Sequence, residues 1–496
     1  MRIAISIDLG TTGCRACAYS AAGEVLGSHH VEYGLIHPEP GAAEQEAEGW
    51  WSAARACVQA VTAALPAPEK VVGIGISAQG HSWVPVGEDL RPLRPALTWL
   101  DTRAAGAARD LLRDRGIAFW GDRAGKAPGA WHTLPQIIWL REAEPRVERA
   151  AAHYLYAHDF LIARLTGKLA TDYTSAAASL LFNIRQFQWD RGLAADYRVD
   201  TDRFAPVVPA GAEAAPLQFE VARDLRLPPG IPVAVGAQDQ KCAALGAGLE
   251  DQCATVSLGT ATAVTALARR PSFEPSAAIP CFPYLARNAW VLEAPLTTTG
   301  AALRWLRDLV RSFGAAGVDY DALSGLAAGS KPGAGGLRFL PFLAGAGAPH
   351  WSADARGAFL GLSLETSAPQ MTRALLESVA FELRTNLDAM QEQGVRLERV
   401  VLFGGGARSD LWTQIIAGVT RLPVHRSSNV ETAALGAAAL AFSAAGVYPS
   451  PHAARVVIGG DYDLFSPDQE EMYEGAYRDY CAQRDHCLRH WGGGSR

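Results

Sequence analysis

Two stretches of this chain share one pattern. Ile5 to Ala16 reads ISIDLGTTGCRA, and Thr255 to Ala266 reads TVSLGTATAVTA. Each is a β-branched apolar run, then Leu-Gly-Thr, then small residues. Such a run forms a strand, and Gly-Thr ends it in a turn. A chain that repeats this strand and turn is constrained to two similar units. Its 496 residues are in any case too many for one compact core. Aligned on Leu-Gly-Thr, the copies place Asp8 of the first opposite Ser257 of the second.

The flanking sequence extends the pattern. Ile3, Ile5 and Ile7 alternate with Ala4, Ser6 and Asp8, which sets Asp8 at a strand end on the less apolar face. Trp50, Ala54, Cys57, Val61 and Leu65 recur at helical spacing, and KVVGIGISAQGHS reads as a buried strand running into a loop. IPVAVGAQDQ is a strand with a loop, and KCAALGAG a small-residue helix. In the second half Ser367 and Gln370 form a capping box for a helix striped by Leu376, Val379, Leu383, Leu387 and Met390. RVVLFGGGARSDLWTQIIAGV is strand, glycine turn, helix. Strands alternating with helices give an α/β class, and two such units leave a cleft between them.

Composition excludes several functions. Apolar residues make up 49% and charged residues 19%, which is globular rather than disordered. A net charge of −6 with no block of like charge argues against a nucleic-acid partner. MRIAISIDLG is too short an apolar stretch for a signal peptide, and no run nears the roughly 18 residues that span a bilayer. The expected location is the cytoplasm, and eight scattered cysteines fit its reducing conditions. Cys14 and Cys17 form a C-x-x-C, but on a strand they point to opposite faces, so packing is expected rather than redox chemistry. Cys481, His486, Cys487 and His490 lie in a charged stretch that reads as an exposed terminal helix, not a metal site. HWGGGSR reads as a flexible tail.

Gly-Thr turns at strand ends offer N–H and hydroxyl donors suited to phosphate oxygens. Two matched copies, with a third glycine turn at Gly404-Gly405-Gly406, point to a phosphate-bearing ligand in the cleft. There is no G-x-x-x-x-G-K-[ST], and no G-x-G-x-x-G stands in the context a dinucleotide needs. Asp239, at a strand end, reads either as a cap for the helix after it or as a general base.

Taken in order, SIDLGTTG, ISAQGHS, TWLDTR, LTGKLATDYTSA, GAQDQKCAALGAG, SLGT, TTTGAALRWL, FLPFLAGAGAP, FGGGARSDLW and AALGAAALA resemble the FGGY family of carbohydrate kinases. The resemblance runs from about Ile3 to about Gly446, and the QGHS and LRPALTWLDTR loops are most similar to its xylulokinase subgroup. It implies two actin-like, ribonuclease H-like ATPase domains of the actin/hexokinase/Hsp70 superfamily. An N-terminal domain over 1–246, a C-terminal domain over 247–446 and a helical extension with its tail over 447–496 are expected. It implies ATP and Mg²⁺ as cofactors, a small sugar or polyol as partner, and a homodimer as one assembly state. The two turns become the phosphate hairpins, with Thr11, Thr12 and Arg15 on the first and Gly259 and Thr260 on the second. Gly300 is expected near the phosphates, and Gly405, Gly406 and Asp410 at the nucleoside. Asp8 resembles the family's Mg²⁺ anchor, with Asp239 beside it. One ion needs one anchor there, so the second hairpin can carry Ser257. Asp239 resembles the catalytic base, and His81, Trp99, Asp239 and Gln240 the sugar-binding set.

Departures from the family pattern concern the sugar. Gln79-Gly80-His81-Ser82 stands where xylulokinases read Gln-Met-His-Gly, and loss of the Met side chain at Gly80 predicts a wider pocket. Gln240 replaces Asn, Gln136 replaces a signature Lys, and Gly345 to Pro349 lacks a charged pair. Asp101 and Arg103 either line the pocket or pair with each other. The expected reaction is γ-phosphoryl transfer to a terminal hydroxyl, first of a ketopentose such as D-xylulose to give the 5-phosphate. The alternatives are another acceptor, such as glycerol or a fuculose-like polyol, and an ATPase switch with no sugar acceptor. WLDTR and the Asp-Gln pair echo glycerol kinases, but that subgroup's Arg-Glu pair is missing. His81 and Trp99 favour a kinase over a switch, and ATP hydrolysis without sugar separates the two.

Overall fold

A computed structural model describes residues 1–273, 279–315 and 317–492. The alternating N-terminus forms β1 (Ile3–Leu9). β2 (Gly13–Ser20) and β3 (Val25–Glu32) follow as an antiparallel meander. Helix α1 (Ala47–Ala64) covers one face, burying Trp50, Ala54, Cys57 and Val61 at the spacing the sequence predicts. β4 (Val71–Ala78) returns parallel to β1. β5 (Glu213–Pro216), β6 (Pro232–Ala234) and the two-residue β7 (Ala237–Gln238) complete the sheet. The order is β5–β6–β4–β1–β2–β3, with β7 paired to the end of β4. A long insertion between β4 and β5 carries helices Ala105–Ala124 and Thr133–Ala143.

Helix α2 (Asp239–Ala247) leads into the second unit. Its strands are β8 (Cys253–Ser257), β9 (Thr262–Ala268), β10 (Cys281–Pro283) and β11 (Trp290–Leu296). Helices α3 (Gly300–Ser312) and α4 (Ala368–Glu392) follow, then β12 (Arg399–Phe403), α5 (Asp410–Thr420) and β13 (Val424–Ser427). The chain closes with α6 (Thr432–Ala444), β14 (Tyr462–Phe465) and α7 (Glu470–Gly492). The sheet order is β10–β11–β9–β8–β12–β13–β14. Around β8 the arrangement repeats that around β1: a two-strand antiparallel meander on one side, parallel strands on the other. The capping box of α4 forms, with the Ser367 N–H donating to Gln370 Oε1 at 2.8 Å.

The units exchange helices. α6 lies on the first sheet, where a Cβ on Gly75 would come 1.9 Å from the Ala437 carbonyl oxygen. α2 packs Ala243 and Ala247 against Cys253, Val401 and Phe403 of the second sheet. The two helices also cross each other through glycines. A Cβ on Gly246 would lie 1.9 Å from Thr432 O, and one on Gly436 would lie 2.0 Å from Cys242 O. Only glycine permits backbones this close.

Cys14 packs in the core under α1 and Cys17 in the core on the opposite face, as alternation requires. The expectation of an exposed terminal helix is corrected: α7 buries Tyr473, Ala476 and Tyr480, with the Tyr480 ring tilted against Phe381 of α4 at 5.2 Å. Its charged residues hid this stripe, because Arg484 is itself buried and pairs with Glu382 at 3.4 Å. Cys481, His486, Cys487 and His490 all lie on α7, and no cluster that could hold a metal forms among the described residues. Residues 493–496 of the expected tail lie outside the described residues. No helix among the described residues is long and apolar enough to cross a membrane.

Candidate active site

The ends of β1 and β4 bring Asp8 beside Ser77, whose hydroxyl donates to Asp8 Oδ1 at 2.7 Å. Burial pushes the Asp8 carboxyl up to about 6 against that hydrogen bond, and nearby Glu431 adds to the rise. Arg15, across the hairpin from Asp8, pairs through Nε with Glu431 at 3.3 Å, tying the first hairpin to the residue before α6. Thr12 is exposed at the turn. The Thr11 carbonyl accepts from Gln45 Nε2 at 2.6 Å, and its hydroxyl accepts from Trp99 Nε1 at 2.8 Å. Gln45 Oε1 also accepts from Gln79 Nε2 at 2.7 Å, Gln79 Oε1 accepts from Ser82 at 3.1 Å, and Ser82 Oγ accepts from the Trp99 N–H at 3.2 Å. A buried amide network therefore couples the first hairpin to the loop at Gly80 and His81. Buried, satisfied polar chains of this kind rigidify what they join. No pattern in the sequence marks Gln45 or Gln79 for that part.

The second hairpin uses the equivalent position differently. Ser257 Oγ accepts from the Ala263 N–H at 3.0 Å and closes its own turn, while its parallel neighbour is Phe403. The Gly259 carbonyl accepts from the Gly300 N–H at 2.9 Å and from the Thr299 hydroxyl at 3.0 Å. A Cβ on Gly300 would stand 2.5 Å from Gly259 O, so Gly300 seats the start of α3 on the hairpin. The Ala301 N–H reaches the Thr260 carbonyl at 3.0 Å, and the Gly406 N–H reaches the Leu258 carbonyl at 2.9 Å. Gly404 takes φ +93°, and Gly405 faces open space. Hairpin, helix start and glycine turn thus form one stitched surface. Asp410, in the first turn of α5, is drawn to Arg426, which also binds Asp463.

Asp239 is the first residue of α2. The capping position belongs to Gln238, and Asp239 Oδ1 accepts from the Gln240 N–H at 2.8 Å. Burial first, and then the charge of Asp8, push its carboxyl up to about 7. Two carboxylates from the two ends of the first unit therefore share one electrostatic site. Asp239 and Gln240 are both partly exposed.

His81 takes φ +62°. Its ring meets His132 edge-on at 5.1 Å and Phe282 at 6.4 Å. Lys126 and Lys241 lie over the Phe282 ring at 4.3 and 3.8 Å. Burial first, then His132 and the two lysines, hold His81 well below its usual range, and burial with Lys126 does the same to His132. The predicted widening at Gly80 is corrected: a Cβ there would meet the Gln238 carboxamide at 3.0 Å, so Gln238 fills the space. Asp101 and Arg103 pair with each other at 2.7 Å, and Arg103 turns on to Glu39 at 3.1 Å. Gln136 is buried and accepts from Trp83 Nε1 at 2.6 Å. Sequence reading missed Lys126, His132, Lys241, Phe282 and Glu293, which come from four separate segments.

Two α/β units of like topology, each carrying a glycine hairpin, with Asp8 and Asp239 in one electrostatic site, are the arrangement of a phosphotransferase of the actin-like fold with an alcohol group as acceptor. The chain belongs to the FGGY family of carbohydrate kinases, whose N-terminal domain matches residues 3–246 and whose C-terminal domain matches residues 254–445. It is 27% identical over 483 residues to a xylulose kinase of Staphylococcus epidermidis, covering 96% of this chain and 95% of that one. A gluconokinase of Bacillus subtilis is 28% identical over 466 residues, covering 92% and 90%. A glycerol kinase of Alkalilimnicola ehrlichii is 31% identical over 515 residues, covering 100% and 99%. Among solved structures, a xylulose kinase from Brucella ovis superposes with a TM-score of 0.91 at 28% identity, covering 98% of this chain and 99% of that one.

Proposed function

We propose that this protein transfers the γ-phosphoryl group of ATP to a terminal hydroxyl of a small sugar or polyol in the cytoplasm. The observation that carries the reading is Asp239, a carboxylate at the start of α2 that burial and the charge of Asp8 raise to about 7. A base poised near neutrality is matched to accepting a hydroxyl proton. Asp8 and Asp239 suit a hard cation that keeps most of its waters and also takes phosphate oxygens. They would hold Mg²⁺, which when bound supplies neutralisation of phosphate charge. Backbone N–H groups and hydroxyls around Thr11, Thr12, Gly259 and Thr260 orient the phosphates from both sides. Gly405 and Gly406 line the nucleoside end. His81, Trp99 and Gln240 border the acceptor, and the amide network through Gln45 and Gln79 fixes their distance from the first hairpin. Closure of the two units excludes water, which limits hydrolysis. D-xylulose, giving the 5-phosphate, is the first acceptor to test, because several relatives are xylulose kinases.

The test is coupled ADP release from Mg-ATP across ketoses, aldoses, polyols and sugar acids, with Asp239→Ala alongside. Acceptor-dependent turnover that disappears in the variant supports the reading. Hydrolysis that needs no acceptor and survives D239A overturns it in favour of an ATPase switch.

A further inference from the structure

Phosphoryl transfer leaves a group of cationic side chains at the acceptor end unused. Lys126 and Lys241 are only 3% and 1% exposed. Glu293 of the second unit pairs with Lys241 at 2.9 Å, and Gln238 Oε1 accepts from the same ammonium at 3.1 Å. Among the described residues Lys126 has no carboxylate partner. Its Nζ donates to the Ala124 carbonyl at 2.9 Å and otherwise rests on the Phe282 ring that Lys241 also covers. Three polar atoms around it are buried and unpartnered: His81 Nδ1, His132 Nε2 and Gln238 Nε2. His132 Nδ1 accepts the Gly129 N–H at 2.8 Å, which leaves its proton on Nε2 as an unused donor. The site thus sets two amines against one carboxylate, with donors to spare, and burial beside Lys241 holds the Lys126 ammonium down to about 7. Removing an ammonium from water without a counter-ion is costly, and buried charges are ordinarily paired.

We propose that this cluster binds a carboxylate carried by the acceptor, so that the substrate class is a sugar acid of the aldonate type. Lys241 and Gln238 stand within two residues of Asp239, and His81 of the cluster is partly exposed. A small acceptor can therefore place its carboxylate on Lys126 and its terminal hydroxyl at Asp239. The single excess positive charge matches a monoanionic carboxylate better than a dianionic phosphate. The proposal rests on Asp239 marking the acceptor site.

The test compares matched pairs in the intact enzyme with Mg-ATP: D-gluconate against D-glucitol and D-xylonate against xylitol, with D-xylulose and D-glucose 6-phosphate as further arms. An ammonium–carboxylate hydrogen bond predicts kcat/KM about 10- to 100-fold higher for the aldonate of each pair. Lys126→Met should reduce that ratio to within a few-fold of one, with thermal melting confirming that the variant is folded. Equal turnover of aldonate and alditol by the wild type overturns the proposal without reference to any variant, and leaves the kinase reading standing. So does a K126M variant that loses both substrates in equal proportion. Preference for the sugar phosphate overturns the carboxylate assignment. Calorimetry of D-gluconate without nucleotide separates the two readings. Binding that K126M weakens, with no phosphoryl transfer to any acceptor, keeps the anion site and rejects the role of Asp239.

Discussion

Asp239→Asn should disable the enzyme and at the same time stabilise its fold at alkaline pH. The folded carboxyl is raised from 3.8 to about 7. Between those values the folded protein keeps a proton that the unfolded chain has released, so stability falls as pH rises through this window and stays low above it. The shift corresponds to a penalty of about 4 kcal/mol at full ionisation. Because Asp239 is partly exposed, solvent screens part of that cost. We expect D239N to gain about 1–3 kcal/mol at pH 8, and less than half of that at pH 5. Urea unfolding of wild type and variant at both pH values, without nucleotide, reads the difference. Turnover should fall by at least about 100-fold, the usual contribution of a positioned base. A variant that is no more stable at pH 8 than the wild type, or whose gain does not change with pH, refutes the argument that this carboxylate is held at an energetic cost. Turnover close to that of the wild type refutes its role as base.

Ser77→Ala removes the hydroxyl that lowers the Asp8 carboxyl, which should then rise above its present value of about 6. The Mg-ATP requirement should then increase most at pH 6.5 and recover by pH 8.5, as a KM-against-pH series would show. Gly300→Ala places a methyl against Gly259 O and should raise the KM for ATP by about 10-fold, leaving the acceptor KM nearly unchanged. Gly436→Ala drives a methyl into the Cys242 carbonyl and should cost at least about 1–3 kcal/mol, seen as a lower urea midpoint.

Local pattern was enough to find the strands that carry Asp8 and Ser257, because alternation and a Gly-Thr stop are written in consecutive residues. The duplicated topology followed from the same signal, as did the opposite-face packing of Cys14 and Cys17. What escaped was convergence. Lys126 follows one helix, His132 precedes another, Phe282 lies on an edge strand and Glu293 on its neighbour, and nothing in the sequence brings them together. Gly80 misled for a related reason: the absence of its side chain was legible, but not the Gln238 carboxamide that takes its place. Helix α7 was misjudged on composition, since Arg484 counts as a surface residue until Glu382 is known to lie opposite.

The crossing of α2 and α6 fixes more than stability. Gly246 is seven residues beyond Asp239 on one helix, which puts the carboxylate about 10 Å along the axis from the point where backbone meets backbone. Carbonyls in such close contact resist sliding, so any relative motion of the two units would be a pivot at this point. On so short an arm the carboxylate sweeps a small arc, while the outer strands of either sheet travel much farther for the same angle. Opening can therefore admit and release nucleotide with little displacement of the group that meets the acceptor.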